Sequence, residues 1–272
     1  FPGSHGIYFT GNNSLIQGNF LYGCPFYGIH LTSELGGLHH NVIENNRVYG
    51  CGQAGIVNQG HTTITRNNLL ENNAIGIQCN GTGNQKVYNN TIFDWEHRTF
   101  SGGESYGIFD GTGGCDIRNN LILQQRNVSG GFRYIFFTGS PTRMNNICDG
   151  GSQCNSNVAD YTTVVQSGVL STGTTPTASD LRLKSASAAL NAGTSLTSDV
   201  PLDRLGVTRP QGAAFDVGAF EFTSDPDVSP PVVSVTAPTI GATVSGTVTV
   251  TGTLNNLFSL STLFISKEFY KG

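Results

Sequence analysis

The chain has 272 residues, a formal net charge of −4 and only 12% charged residues, about half the usual ~25%. It carries no basic footprint for a nucleic acid and no apolar run of the ~18 residues that a membrane span needs. Its 36 glycines point toward disorder, but regular apolar spacing over residues 1–150 argues for a packed core there. It opens at Phe1 without an initiator Met or a signal peptide, as expected of a mature chain or an internal fragment.

Five strands are expected to begin with Gly-Ile: Gly6-Ile7-Tyr8-Phe9, Gly28-Ile29-His30-Leu31, Gly55-Ile56-Val57-Asn58, Gly76-Ile77-Gln78-Cys79 and Gly107-Ile108-Phe109-Asp110. A second phrase interleaves with the first, an apolar residue, then Asn, then another apolar residue. It reads Ile16/Asn19/Leu21, Ile43/Asn46/Val48, Ile64/Asn67/Leu69, Val87/Asn90/Ile92 and Ile117/Asn120/Ile122, and recurs every 21 to 30 residues. A period of that size made of short strands is the mark of a solenoid, whose turns bury their apolar faces only against one another. Period-two alternation sends Ile29 and Leu31 inward and His30 outward. Gly is expected where a corner would crowd a Cβ, and the Asn column at a bend that favours left-handed backbone and stacked amides. A sixth, weaker turn starts at Tyr134-Ile135-Phe136-Phe137 and ends at Asn145-Asn146.

This pattern resembles the right-handed parallel β-helix proteins of the pectate-lyase-like class over roughly residues 1–150, and a parallel β-helix is expected over residues 1–160. That resemblance implies an all-β solenoid. It leaves open lyases, hydrolases, epimerases, tailspikes and adhesins, because one fold hosts many chemistries.

Six cysteines allow several arrangements. Cys24 and Cys51 follow matching Tyr-Gly pairs on neighbouring turns, about 4.8 Å apart, within disulfide reach. Cys148 and Cys154 are close enough to close a local loop. For both pairs a disulfide and two thiols stay open. Cys79 and Cys115 face inward and read as stacked buried thiols. No Cys/His spacing matches a zinc site.

Residues 161–222 close the solenoid. Asp180-Leu181-Arg182-Leu183, Ser187-Ala188-Ala189-Leu190-Asn191-Ala192-Gly193, Asp203-Arg204-Leu205-Gly206 and Asp216-Val217-Gly218-Ala219-Phe220 are similar to the choice-of-anchor Q tail of bacterial surface β-helix proteins. Ala188 and Asn191 depart from that family's usual Pro and Asp. The tail is expected to cover the exposed strand edges at the end of the solenoid, with Asp180, Arg182, Arg209, Asp216 and Glu221 tying its loops. A Pro-rich linker follows at 223–231. Strands at Val232–Thr236 and Thr247–Thr251 resemble the start of a bacterial Ig-like domain. It would be incomplete, since residues 232–272 fall short of the ~100 residues of a full sandwich.

The resemblance implies that a polysaccharide lies along the outward side of the Gly-Ile strands. That column reads Tyr8, His30, Val57, Gln78, Phe109 and Phe136. It holds no pair of carboxyls such as a glycoside hydrolase needs, and Asp110 is expected to point inward. A lyase needs a base and a cation. Lys86 lies on a second-sheet strand, so the better source is the insertion after Phe93, with Asp94, Trp95, Glu96, His97, Arg98 and Glu104. His97 is then the proton-transfer candidate, Arg98 the carboxylate clamp and Glu104 a further catalytic candidate, with Tyr8, His30, Gln78, Trp95, Phe109 and Phe136 contacting sugar. A second insertion carries Glu34, His39 and His40. Asp94, Glu96 and Glu104 offer oxygens of the kind Ca²⁺ takes, without an EF-hand-like spacing. The expected protein is a secreted or surface monomer that meets a polysaccharide or cell-surface glycan. It is either a lyase-like enzyme or a non-catalytic adhesin, glycan binder or stalk.

Overall fold

The computed structural model describes residues 4–32, 40–81, 83–94, 105–123, 132–150, 153–169, 179–223, 232–237, 245 and 251–255. The chain forms two compact units, Phe1–Phe222 and Thr223–Gly272. In the first, strands come in threes: β1 (Ile7–Phe9), β2 (Leu15–Gln17) and β3 (Phe20–Tyr22), then β4 (Ile29–Leu31), β5 (Val42–Glu44) and β6 (Arg47–Tyr49). The third and fourth sets are β7 (Ala54–Asn58), β8 (Ile64–Arg66), β9 (Leu69–Glu71), β10 (Ile75–Cys79), β11 (Lys86–Tyr88) and β12 (Thr91–Phe93). The last two are β13 (Ser105–Asp110), β14 (Asp116–Arg118), β15 (Leu121–Leu123), β16 (Phe132–Phe137), β17 (Thr142–Met144) and β18 (Ile147–Cys148). Every third strand joins the same sheet. The first sheet runs β1-β4-β7-β10-β13-β16, the second β2-β5-β8-β11-β14-β17, and the third β3-β6-β9-β12-β15-β18, extended by β19 (Ser156–Asn157). Pairing within all three is parallel, so the chain winds as a parallel β-helix.

Inside the first sheet, Ile7, Ile29, Ile56, Ile77, Ile108 and Ile135 stand in one register column. From Ile29 onward these side chains are fully buried, each worth about 1.5–3 kcal/mol over exposure. The glycine before each isoleucine has a steric cause. A Cβ at Gly28 would lie 2.5 Å from the carbonyl oxygen of Gly55, and one at Gly76 would lie 2.5 Å from that of Gly107.

In the second sheet the column is Ile16, Ile43, Thr65, Val87 and Ile117. Ile64, expected inside, pairs with Val42 and Lys86 on the outward row. The doublets Asn67-Asn68 and Leu69-Leu70 allow two readings one residue apart, and in a period-two strand such a slip exchanges the faces. Leu70, fully buried beside Val48 and Ile92, decides the register.

The same slip moves the asparagine column, which contains Asn68 and not Asn67. Side-chain amides pass a hydrogen bond along Asn19, Asn46, Asn68, Asn90, Asn120 and Asn146, at 2.9–3.0 Å. The second N–H of Asn68 donates to the Ile43 carbonyl at 2.9 Å. Left-handed backbone belongs to the preceding residue, in a separate column of Gly18, Asn45, Asn67, Asn89, Asn119 and Asn145. One bend thus uses two positions, one for backbone shape and one for the amide ladder.

Two disulfides are present, Cys79–Cys115 and Cys148–Cys154. Cys79 and Cys115 are therefore bonded, contrary to the expected stacked thiols. Cys79 pairs in register with Asp110, and the Asp110 carboxylate accepts from the backbone N–H of Gly113 at 2.7 Å and of Cys115 at 3.2 Å. That turn folds Cys115 back over Cys79. Cys24 and Cys51 are thiols.

The tail lies along the side of the solenoid, where an end cap was expected. Its carbonyls accept from the outward amides of the left-handed column: Leu202 from Asn67, Asp216 from Asn89, Thr194 from Asn119 and Ala192 from Asn145. Arg204 donates to the Asn46 carbonyl at 3.0 Å. Leu196, Val200 and Phe215 pack with Tyr88. The antiparallel pair β20 (Val165–Ser167) and β21 (Asp180–Leu183) joins Val217 and Phe220 against Phe93, Leu121 and Leu123 of the third sheet. Arg209 is buried and pairs with Glu221 at 2.7 Å, whereas Asp180 and Arg182 pair locally on β21 at 2.6 Å.

The second unit shows an antiparallel pair, β22 (Val232–Ala237) and β23 (Thr251–Asn255). The expected strand at Thr247–Thr251 falls, except for Thr251, outside the described residues.

Candidate functional site

The parallel register brings Tyr8, His30, Val57, Gln78, Phe109 and Phe136 into one outward column on the first sheet. Rings gather at its two ends. At one end His5 stacks on Tyr27 at 5.1 Å and on Tyr8 at 5.4 Å, and meets His30 edge-on at 4.9 Å. Phe26 lies 4.5 Å from Tyr27. Burial pushes the His5 imidazole below its ordinary pKa, which favours the neutral ring at pH 7. At the other end Phe109 and Phe136 stack at 5.2 Å, with Tyr106 5.0 Å from Phe109. Val57 and Gln78 separate the groups. Val57 is buried, Gln78 half-buried. From His30 to Phe109 is three rungs, about 14 Å at the usual strand spacing.

His5, Phe26, Tyr27 and Tyr106 were not singled out in the sequence. Their signal was a run of rings, Phe26-Tyr27 just before Gly28 and Tyr106 just before Gly107. His5 lies just ahead of β1 and Phe26 and Tyr27 just ahead of β4, whereas Tyr106 is the second residue of β13, in register with Ile75.

Asp110 is buried and points inward as expected, its carboxylate committed to the turn that follows. Lys86 lies on β11 and pairs with Asp199 of the tail at 2.9 Å, on the second sheet and not on the aromatic face. A polar concavity of about 410 Å³ there is lined by Lys86, Asp116 and Thr142 among others. Its charges are also engaged, since Asp116 accepts from Tyr88 at 2.5 Å and pairs with Arg118 at 2.6 Å.

Asp94 is buried, with the left-handed backbone also seen at Gly23, Gly50 and Asn72, each just after a third-sheet strand. The candidates Trp95, Glu96, His97, Arg98 and Glu104, with Glu34 and His39, lie outside the described residues. His40 is exposed, with left-handed backbone, and its N–H donates to the Thr62 hydroxyl at 3.2 Å. Among the described residues no group of three or more His, Cys, Asp or Glu side chains gathers for a metal, and no helix is long and apolar enough to cross a membrane.

A family described as "Right handed beta helix region" matches residues 2–122. The solenoid is a right-handed parallel β-helix. No curated protein matches the chain. Among solved structures it is similar to the crystal structure of pectate lyase Pel9A, at 17% identity and a TM-score of 0.35, over 80% of this chain and 68% of that one. At that distance the likeness bears on neither chemistry nor partners.

Proposed function

We propose that this chain is a secreted or cell-surface bacterial β-helix protein, acting as a monomer, that holds a polysaccharide along the outward side of its first sheet. The observation that carries this reading is the pair of ring clusters, His5/Tyr8/Tyr27/His30 and Tyr106/Phe109/Phe136, about three rungs apart on one face. Flat rings pack on the C–H faces of sugars, and Gln78 supplies an amide between them. Two disulfides suit an oxidising compartment. The anchor-like tail and the Ig-like start after a Pro-rich linker suit a modular surface protein.

A lyase-like activity at the same face is the second reading. It is favoured by the position of the acid-, His- and Arg-bearing insertion, which ends at Ser105, the first residue of β13 and so of the strand that carries Phe109. His97 would move the proton, Arg98 would hold a uronate carboxylate, and Glu104 and Trp95 would flank them. Calcium from Asp94, Glu96 and Glu104 belongs to this reading alone.

One assay series tests both. The intact chain is titrated with neutral and uronate polysaccharides and followed for the ultraviolet absorbance of an unsaturated product. Binding without product supports the non-catalytic protein. Product that disappears in His97→Ala and Arg98→Ala supports the lyase. Absence of binding to every glycan rejects the proposal.

A further inference from the structure

The first two turns of the solenoid carry stacked cysteines at matching corners. Tyr22 pairs with Tyr49 in register. Gly23 N–H donates to the Tyr49 carbonyl and Gly52 N–H to the Cys24 carbonyl, both at 2.9 Å. These two bonds bracket Cys24 and Cys51 and set one above the other at the ladder spacing of about 4.8 Å, within the Cα range of a disulfide. Both side chains turn into the core, each below a glycine of the first sheet. The Cys24 sulfur lies 3.1 Å from where a Cβ on Gly6 would be, and the Cys51 sulfur 3.3 Å from one on Gly28. Cys51 is fully buried, while Cys24 keeps 8% of its surface.

We propose that Cys24 and Cys51 form a redox-active dithiol site that reacts with small-molecule disulfides and closes into a third cross-link, between the first and second turns. The inference stands independently of the glycan reading.

The two sulfurs have different roles. The Cys51 thiol, foremost, and the backbone at Gly6 and Cys24 hydrogen-bond to the Cys24 sulfur and bring its pKa down to about 7, against the opposing effect of burial. Cys24, which keeps some exposed surface and whose pKa is lowered, is thus the sulfur assigned to attack as thiolate. Its thiolate attacks one sulfur of the oxidant RSSR, forming a Cys24–SR mixed disulfide and expelling RS⁻, which takes up the proton Cys24 released. Cys51 then loses its proton, attacks the Cys24 sulfur and expels the second RS⁻, which is protonated in turn. Two thiols are oxidised to one disulfide, and RSSR is reduced to two RSH. The cross-link ties the corner that leads into Phe26 and Tyr27 to the turn beneath it.

The test uses the intact chain and oxidised glutathione as the probe, with iodoacetamide quenching and non-reducing peptide mass spectrometry. The expected product joins the Cys24 and Cys51 peptides with loss of two hydrogens, while Cys79–Cys115 and Cys148–Cys154 stay as they are. Cys51→Ser should stop at a glutathione adduct on Cys24, and Cys24→Ser should take up none on Cys51. The oxidised protein should show a higher thermal midpoint and slower amide exchange in β1 and β3. A second arm refolds the chain in a glutathione redox buffer, so that burial alone does not decide the outcome. Two intact thiols at these positions in both arms, or linkage of either cysteine to another partner, would overturn the proposal.

Discussion

Asn67 donates its side-chain amide to the carbonyl of Leu202 at 2.8 Å. The adjacent Asn68 turns inward and donates to Oδ1 of Asn90 at 3.0 Å. Two consecutive residues of one type thus serve two structures, the strapped tail and the interior ladder. Asn68→Ala leaves the backbone and side-chain N–H groups of Asn46 without their acceptor, and each orphaned buried donor costs about 1–3 kcal/mol. Asn67→Gly keeps the left-handed backbone that Gly18 supplies in the first turn. It gives up side-chain contacts with the tail, at about 1 kcal/mol for each ordinary hydrogen bond. Denaturant midpoints should therefore fall further for Asn68→Ala, and equal losses would refute the division of roles.

Arg209 and Glu221 form a pair with almost no exposed surface. Burial lowers the guanidinium pKa and raises that of the carboxyl, and each charge opposes the other's shift. The Glu221 carboxylate also accepts from the N–H groups of Gln211 and Asp216. Glu221→Gln places an amide donor among these donors and removes the carboxylate that Arg209 contacts directly, with Asp203 and Asp216 as its remaining countercharges, for an expected loss of about 3–5 kcal/mol. The double change Arg209→Met, Glu221→Leu should be milder, because it removes both members of the ion pair together, leaving the buried Asp203 and Asp216 with the backbone donors they already accept from. Unfolding free energies of the three proteins check the order.

The two ring clusters should contribute separately to glycan affinity. Phe109→Ala and Tyr27→Ala are each expected to weaken binding roughly tenfold, about 1.4 kcal/mol. Met144→Ala, exposed on the second sheet, should leave it unchanged. Titration calorimetry with a polysaccharide found to bind reads all three. Full affinity in both ring variants would remove the first-sheet face from consideration.

Tyr88 links stability to alkaline pH. Burial first, and then its hydrogen bond to Asp116, hold the phenol well above its ordinary pKa. In the unfolded chain a tyrosine ionises near pH ~10. Above that pH the unfolded chain releases a proton that the folded one keeps, so this contribution is complete below pH ~10 and declines as pH rises. Tyr88→Phe should flatten part of the alkaline fall in the denaturation midpoint. An unchanged slope would show that the phenol ionises equally in both states.

Much of the solenoid was legible because its signals are local and repeated. Gly-Ile marks the first-sheet strands, and the isoleucines at 7, 29, 56, 77 and 108 fall into one column as expected. The error at Ile64 and Asn67 came where neighbouring residues are alike, so that composition no longer distinguished one face from the other. The outward ring column was also readable from alternation. Its full membership was not, because His5, Phe26 and Tyr27 lie at corners, where period-two logic stops, and Tyr106, inside β13, has the parity of inward Ile108 yet packs on Phe109 and Phe136.

The sequence by itself determined the parallel β-helix, its inward isoleucines and the outward column of rings, since each follows from spacing within a repeat and from stacking of one repeat on the next. Only the tertiary structure decided that Asn68 joins the ladder, that Cys79 meets Cys115, and that the tail runs along the asparagine corner to Asn67 and Asn46. These contacts depend on a one-residue choice of register, on how a turn folds back, and on bonds between groups as much as 158 residues apart. A local pattern carries no information at that range, because such pairings form only once the stacked turns have brought the groups within hydrogen-bond distance.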